Sequence, residues 1–237
     1  MSDVAPRPAG DVRVVSLCSG GGGLDLGVHA ALRRLSFAPR TILYLERESY
    51  AAAVLAARMA EGALDAAPVW SDVTTLDAGR GRGVVDILIG GIPCQPHSTA
   101  GKRAGIDDAR WIWPDVADIV HDCAPALVFL ENVPGFLTSS GGVAFGEVLS
   151  DLAALGYDAA WQCLRASDVG APHKRERVFI LATRKGGLGK CGAWINCRRP
   201  ATCVDRRTRR AVLLCGPCRD YFDELWGDAS GEVAATT

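Results

Sequence analysis

The sequence predicts an α/β fold built on a mostly parallel sheet with helices on both faces. Three observations predict it. Short, continuously apolar and β-branched runs alternate with longer segments of helical periodicity. Each run ends in glycine, proline or a polar cluster, as strands do when they feed loops. The chain has 237 residues, 49% hydrophobic and 22% charged, which suits a globular domain with at most a small appendage. That balance is too apolar for a disordered tail and too charged for a membrane bundle. No apolar run approaches the roughly 20 residues that cross a bilayer.

The elements follow in order. Residues 1–10 hold no apolar signal-peptide core and read as a flexible leader. Residues 12–17 are a strand running into Ser19, Gly20, Gly21, Gly22 and Gly23, and residues 24–35 then carry apolar side chains at helical spacing. Residues 41–45 are a second strand ending at Glu46, and the Ala-rich stretch 50–59 is helical. Residues 84–89 form a third strand ending in Gly90-Gly-Ile-Pro-Cys94, and 127–130 a fourth ending in Glu131-Asn-Val-Pro134. A helix over 145–155 stops at Gly156, and residues 177–182 close the body as a strand. Open sheets of this kind bind ligands beyond the carboxyl ends of their strands. Four polar clusters fall there: residues 19–23, Glu46, Pro93-Cys94-Gln95, and Glu131 with Asn132.

Four consecutive glycines let a ligand approach the backbone and leave helix N–H groups free. No Gly-Lys-Ser/Thr follows, which excludes a phosphate-gripping P-loop. The dinucleotide pattern also fails, because Asp25 stands where its last glycine would fall. What remains is a nucleoside-type pocket, with Glu46 able to accept from ribose hydroxyls, or a tight turn with no ligand. The composition of residues 90–101 makes Cys94 a loop thiol, which suits a catalytic sulfur, whereas Cys123 and Cys163 suit packing. His97 is either its base or merely solvated. Glu131 is the acid for charge that develops on attack.

Net charge is −1 over the chain, but residues 171–219 hold 13 Lys and Arg against only Glu176 and Asp205. A basic block on an acidic body suits a nucleic-acid surface, or a solvated face of a metal module. Five of the nine cysteines also crowd there: Cys191, Cys197, Cys203, Cys215 and Cys218. Without a secretory signal they point to metal or thiol chemistry in a cytoplasmic setting. Cys215-Gly-Pro-Cys218 pairs with Cys191 and Cys197, Cys203 being the reserve, as a structural zinc site. The expected organisation is therefore a leader (1–10), a body (11–184), a linker (185–190) and a cysteine-rich, zinc-binding tail (191–237).

Taken together, Leu17-Cys-Ser-Gly-Gly-Gly-Gly-Leu24, Gly91-Ile-Pro-Cys-Gln-Pro96, Ala100-Gly-Lys-Arg103, Glu131-Asn-Val133 and Ala171-Pro-His-Lys-Arg-Glu-Arg177 resemble the ordered motifs of the DNA cytosine-5 methyltransferases. The resemblance implies a Rossmann-like sheet that uses S-adenosylmethionine, and double-stranded DNA as partner. It implies that Ser19, the four glycines, Leu24 and Pro93 line the cofactor. Glu46 would hold the ribose and Asp72 the adenine amine. Cys94 would attack C6 of a flipped cytosine, Glu131 would engage its N3 and exocyclic amine, and Arg175 and Arg177 would steady the base. Cys18 replaces the aromatic usual in the glycine motif, His97 a Phe, and His173 a Gln. No large target-recognition region follows Arg177, so a helper or specificity subunit is expected, and the small zinc unit could stand in for the region. A short form of this kind suits restriction–modification on a phage or mobile element. Two other functions fit the same residues: a catalytically weak DNA-binding partner subunit, and an RNA cytosine-5 methyltransferase.

Overall fold

A computed structural model describes residues 10–93 and 111–184. Seven strands form one sheet: β1 (Asp11–Leu17), β2 (Ala38–Leu45), β3 (Val69–Trp70), β4 (Ile87–Gly91), β5 (Leu127–Asn132), β6 (Tyr157–Arg165) and β7 (Glu176–Arg184). Their spatial order is β3-β2-β1-β4-β5-β7-β6. The first five run parallel, while β7 is antiparallel to both β5 and β6. The expected mostly parallel sheet is therefore what the chain adopts. Strand β1 lies inside the sheet, with Val12, Val14 and Leu17 all fully buried and its charged Asp11 and Arg13 confined to its first half.

Four helices are described: α1 (Gly23–Arg34), α2 (Ser49–Ala60), α3 (Trp113–Cys123) and α4 (Val143–Ala154). Helix α2 starts where the Glu48 carboxylate accepts from the Ala51 N–H at 2.7 Å, capping an orphan donor. Helix α3 begins with proline in its first turn and ends at Ala124 in the left-handed conformation. Its buried residues Trp113, Val116, Ile119, Val120 and Cys123 recur at helical spacing. They join the main core with α4 and the inner strands, whereas Tyr44, Leu55 and Leu64 form a smaller core.

Sequence patterning missed three elements. Strand β3 has only two residues, too few for any period. Helix α3 follows a stretch dominated by turn residues. Strand β6 is an edge strand whose Trp161 is 46% exposed, so apolar alternation is weak along it. The third strand starts at Ile87 rather than Val84, because the N–H groups of Val84 and Val85 turn back to the Gly81 carbonyl. The register of β5 on β7 pairs Glu131 with Phe179 and Phe129 with Leu181. Phe129 and Phe179 stack diagonally across that seam, their ring centroids 5.6 Å apart.

Candidate active site

Because β3, β2, β1, β4 and β5 are parallel neighbours, their carboxyl ends share one edge of the sheet. Along that edge, in order, come Asp72, Glu46, the loop of residues 19–23, Pro93 and Glu131. Strand β7 runs the other way, so its beginning, with Arg177, reaches the same edge. At strand spacings of about 4.8 Å, the row from β3 to β7 extends roughly 24 Å.

The glycine loop is strapped to β2. The Gly20 N–H donates to Glu46 Oε2 at 2.7 Å, while Glu46 Oε1 accepts from the Glu48 N–H at 2.8 Å. Ser19 N–H donates to the Leu45 carbonyl at 3.0 Å, and its hydroxyl to the Ser16 carbonyl at 3.0 Å. Arg58 donates to the Gly21 carbonyl. Gly20 (φ +55°) and Gly22 (φ +76°) are both left-handed, the region glycine enters without strain. A Cβ on Gly22 would lie 2.5 Å from Leu64 Cδ1, whereas one on Gly20 would meet no described atom within 4 Å. The loop thus has one packed side and one open side.

At the other end of the row, Arg177 Nε pairs with Glu131 Oε1 at 2.7 Å, both side chains about a quarter exposed (23% and 24%). Arg177 Nη1 also donates to the Glu176 carbonyl at 2.7 Å, fixing the guanidinium. Gly91 is paired with Glu131, and a Cβ there would lie 3.5 Å from Glu131 Oε2 and 3.7 Å from the Cys18 carbonyl. Beneath the carboxylate, Ile92, Trp111, Leu130 and Phe136 close an apolar floor around a void of only about 10 Å³. Arg175 is not brought to Glu131; it is exposed and lines an open notch with Arg165, Ser167, Lys174 and Glu176. Asp72 accepts from the Thr74 N–H (3.0 Å) and hydroxyl (2.8 Å), which holds its carboxyl below the usual range.

None of the described cysteines is a ready thiolate. Burial, with the nearby Glu46 charge, pushes Cys18 up to about 12. Burial pushes Cys123 up to about 11 and raises Cys163 as well. A buried polar cluster escaped the sequence reading. Asp25, His29 and Leu32 form the inward face of α1, and Asp25 bonds to Ser16 and Thr41. The signal was available, since positions 25, 29 and 32 share one face of the helix that residues 24–35 were expected to form.

The family model for C-5 cytosine-specific DNA methylase matches residues 12–193. The chain belongs to this family. Among its methylase relatives, the type II methyltransferase M.AquIA of Picosynechococcus is 32% identical over 186 residues, covering 73% of each chain. M.PspPI of Psychrobacter is 32% identical over 188 residues, 77% of this chain and 42% of the relative. M1.ScrFI of Lactococcus lactis is 30% identical over 231 residues, 94% of this chain and 55% of the relative. The chain therefore spans about half the length of several methylases it matches. A putative DNA modification methyltransferase encoded within an Escherichia coli prophage shares the fold (TM-score 0.61, 24% identity, 81% of this chain and 53% of that one). So does the Schizosaccharomyces pombe Dnmt2 methyltransferase (TM-score 0.57, 24% identity, 73% of this chain and 51% of that one).

Several expected site residues of this chain lie outside the described residues: Cys94, His97, and the tail cysteines Cys191, Cys197, Cys203, Cys215 and Cys218. Among the described residues no group of three or more His, Cys, Asp or Glu could hold a metal ion. Among the same residues, no helix is long and apolar enough to cross a membrane.

Proposed function

We propose that this chain transfers a methyl group from S-adenosylmethionine to C5 of cytosine in double-stranded DNA, with Cys94 as the nucleophile. The observation that carries this is the shared edge, with the strapped, open-sided glycine loop at one part and the Glu131–Arg177 pair at another. The loop suits the cofactor chemically. Gly20 and Gly23 leave open space over the backbone among the described residues, and each Glu46 oxygen keeps a lone pair after accepting from the Gly20 or the Glu48 N–H. In this assignment Ser19, glycines 20–23, Leu24 and Pro93 line the methionine and ribose, Glu46 holds the ribose hydroxyls, and Asp72 faces the adenine amine. When bound, the cofactor supplies an electrophilic methyl on a sulfonium.

The protein's own groups do the rest. The Cys94 thiolate adds to C6 of a cytosine swung out of the duplex, and the electron pair released makes C5 nucleophilic. Glu131, held through one oxygen by Arg177, presents the other to the exocyclic amine and N3. Arg177 keeps that carboxylate oriented, and Arg175 in its exposed notch steadies the reacting base. After C5 is methylated, a base takes the C5 proton, the C6–S bond breaks, and the thiolate is restored. The cysteines of residues 191–237, following the 185–190 linker, are assigned to a structural zinc through Cys191, Cys197, Cys215 and Cys218. That unit, or a helper subunit, would supply target recognition. Metal analysis of the purified chain tests this assignment, and a zinc content near zero would sink it.

The deciding experiment incubates the full chain with methyl-labelled S-adenosylmethionine and duplex DNA or RNA, beside Cys94→Ser. Label on DNA that is lost in the variant supports the proposal. Binding without transfer, or label on RNA alone, would overturn it. Covalent trapping on a 5-fluorocytosine duplex tests the sulfur directly.

A further inference from the structure

Among the described residues, the chemistry above leaves a fully buried carboxyl group unused. Asp25 is 0% exposed and sits in the first turn of α1, immediately after the glycine loop and Leu24. Its Oδ2 accepts from the Ser16 hydroxyl on β1 at 2.8 Å, and its Oδ1 from the Thr41 hydroxyl on β2 at 3.1 Å. Thr41 Oγ1 also lies 3.0 Å from His29 Nε2, one turn further along α1. His29 Nδ1 is 3.6 Å from Asp65 Oδ2, and that same oxygen accepts from the Thr41 N–H at 2.7 Å. Thr41 has a single hydroxyl proton and cannot donate to both Asp25 and His29. With Asp25 ionised, Thr41 donates to Asp25, and His29 Nε2–H donates to Thr41. The hydrogen bonds then run in one direction, from His29 through Thr41 to Asp25, with Ser16 donating from the other side.

This cluster ties two successive turns of α1 to two different strands. Apolar side chains could fill the same volume, but they would allow the helix to slide and rotate. Directional bonds do not. Burial makes the carboxylate costly to keep, raising it from 3.8 to about 6 despite both hydroxyls. A costly group held by strict geometry, directly behind a ligand loop, is explained by what it aligns.

We propose that Asp25 is a positioning residue for the S-adenosylmethionine loop, pinning the first turn of α1 to β1 and β2 so that the glycine N–H groups keep their aim. This rests on the cofactor assignment above. It makes Asp25 a determinant of cofactor affinity, with the chemical step left intact.

The test titrates S-adenosylmethionine into the full chain by calorimetry, for wild type, Asp25→Asn, Thr41→Val and Thr41→Ser. Melting temperature, kcat and the KM for S-adenosylmethionine are measured alongside. Asp25→Asn should weaken binding and raise KM about tenfold while kcat at saturation stays within about twofold. Thr41→Val should move the same way by about threefold, and Thr41→Ser, which keeps the hydroxyl, should restore wild-type affinity. If Asp25→Asn does not fold, the Thr41 pair decides. Unchanged affinity in both lesions with a lowered melting temperature would overturn the inference, leaving Asp25 a fold-holding residue only. A loss confined to kcat would overturn it too. Should the wild type itself fail to bind S-adenosylmethionine, the cofactor assignment falls and takes this inference with it, a result visible before any variant is compared.

Discussion

Gly20 and Gly22 lie two residues apart with the same left-handed backbone, yet alanine should damage them in different ways. At Gly20 (φ +55°) the new methyl meets no described atom within 4 Å, so only the backbone strain of about 1 kcal/mol applies. At Gly22 (φ +76°) the same strain is joined by overlap, with Leu64 Cδ1 at 2.5 Å, Leu64 Cδ2 at 3.1 Å and Leu55 Cδ2 at 3.4 Å. Leu64 belongs to the small core with Tyr44 and Leu55 and cannot swing away freely. Overpacking of that kind adds about 1–3 kcal/mol, for a total near 2–4 kcal/mol. Urea unfolding read at constant m-value should therefore separate the two variants clearly. S-adenosylmethionine titration should reverse their order among variants that remain folded, because the Gly20 methyl fills the open side of the loop. Equal stability losses would refute the reasoning, as would unaltered cofactor affinity in Gly20→Ala.

Three further outcomes are expected. The Asp25 carboxyl is raised by burial from 3.8 to about 6, so folding favours its protonated form, and the cost of ionising it grows as pH rises from about 4 to about 6. With His29, Arg33, Tyr44 and Asp65 facing the same cluster, the clean quantity is the stability of Asp25→Asn minus that of wild type. It should grow by about 2 kcal/mol between pH 4 and pH 7, and a flat difference would refute the shift. His29 is pushed down by burial and contributes the opposite slope in both proteins, which the subtraction removes. Arg177→Met should cut methyl transfer by about 10²–10³-fold by freeing Glu131. Its stability should change by about 1 kcal/mol or less, since the pair is partly exposed, and activity within tenfold of wild type would count against the assignment. Trp113→Phe should cost about 2–3 kcal/mol in urea unfolding, because Trp113 is fully buried and its Nε1–H donates to Asp151 Oδ2 at 2.8 Å.

Strands with unbroken apolar runs announced themselves in the sequence, because burial on both faces leaves no room for polar residues. That is why β1, β4 and β5 were legible along with the glycine turn that follows β1. The same logic failed at β6, where one side faces water and Trp161 stands half exposed. Glu46 was legible from its place at a strand end, but its bond to the Gly20 N–H was not, since backbone strapping depends on the approach of two strands. Arg175 and Arg177 looked equivalent in the motif. The start of β7 separates them: Arg177 lies within the strand and reaches Glu131, whereas Arg175 precedes the strand and stands in an open notch. In the sequence Asp25 stands out only where the dinucleotide pattern would have its last glycine. Its helical spacing with positions 29 and 32 marks a common face, but the hydrogen bonds to Ser16 and Thr41 emerge only from how α1 lies on β1 and β2.

The stacked rings of Phe129 and Phe179 acquire a duty beyond packing. Glutamate arrives at the reacting edge from the finish of one strand and arginine from the outset of its reversed neighbour, so their meeting depends on how far the two ribbons have slid past each other. A slip of one position would turn the arginine to the opposite side of the sheet. By acting as a detent against such slippage, two hydrocarbon rings would safeguard the electrostatic partnership beside them. Trimming either ring should then surface as a fault in turnover, with cofactor binding spared.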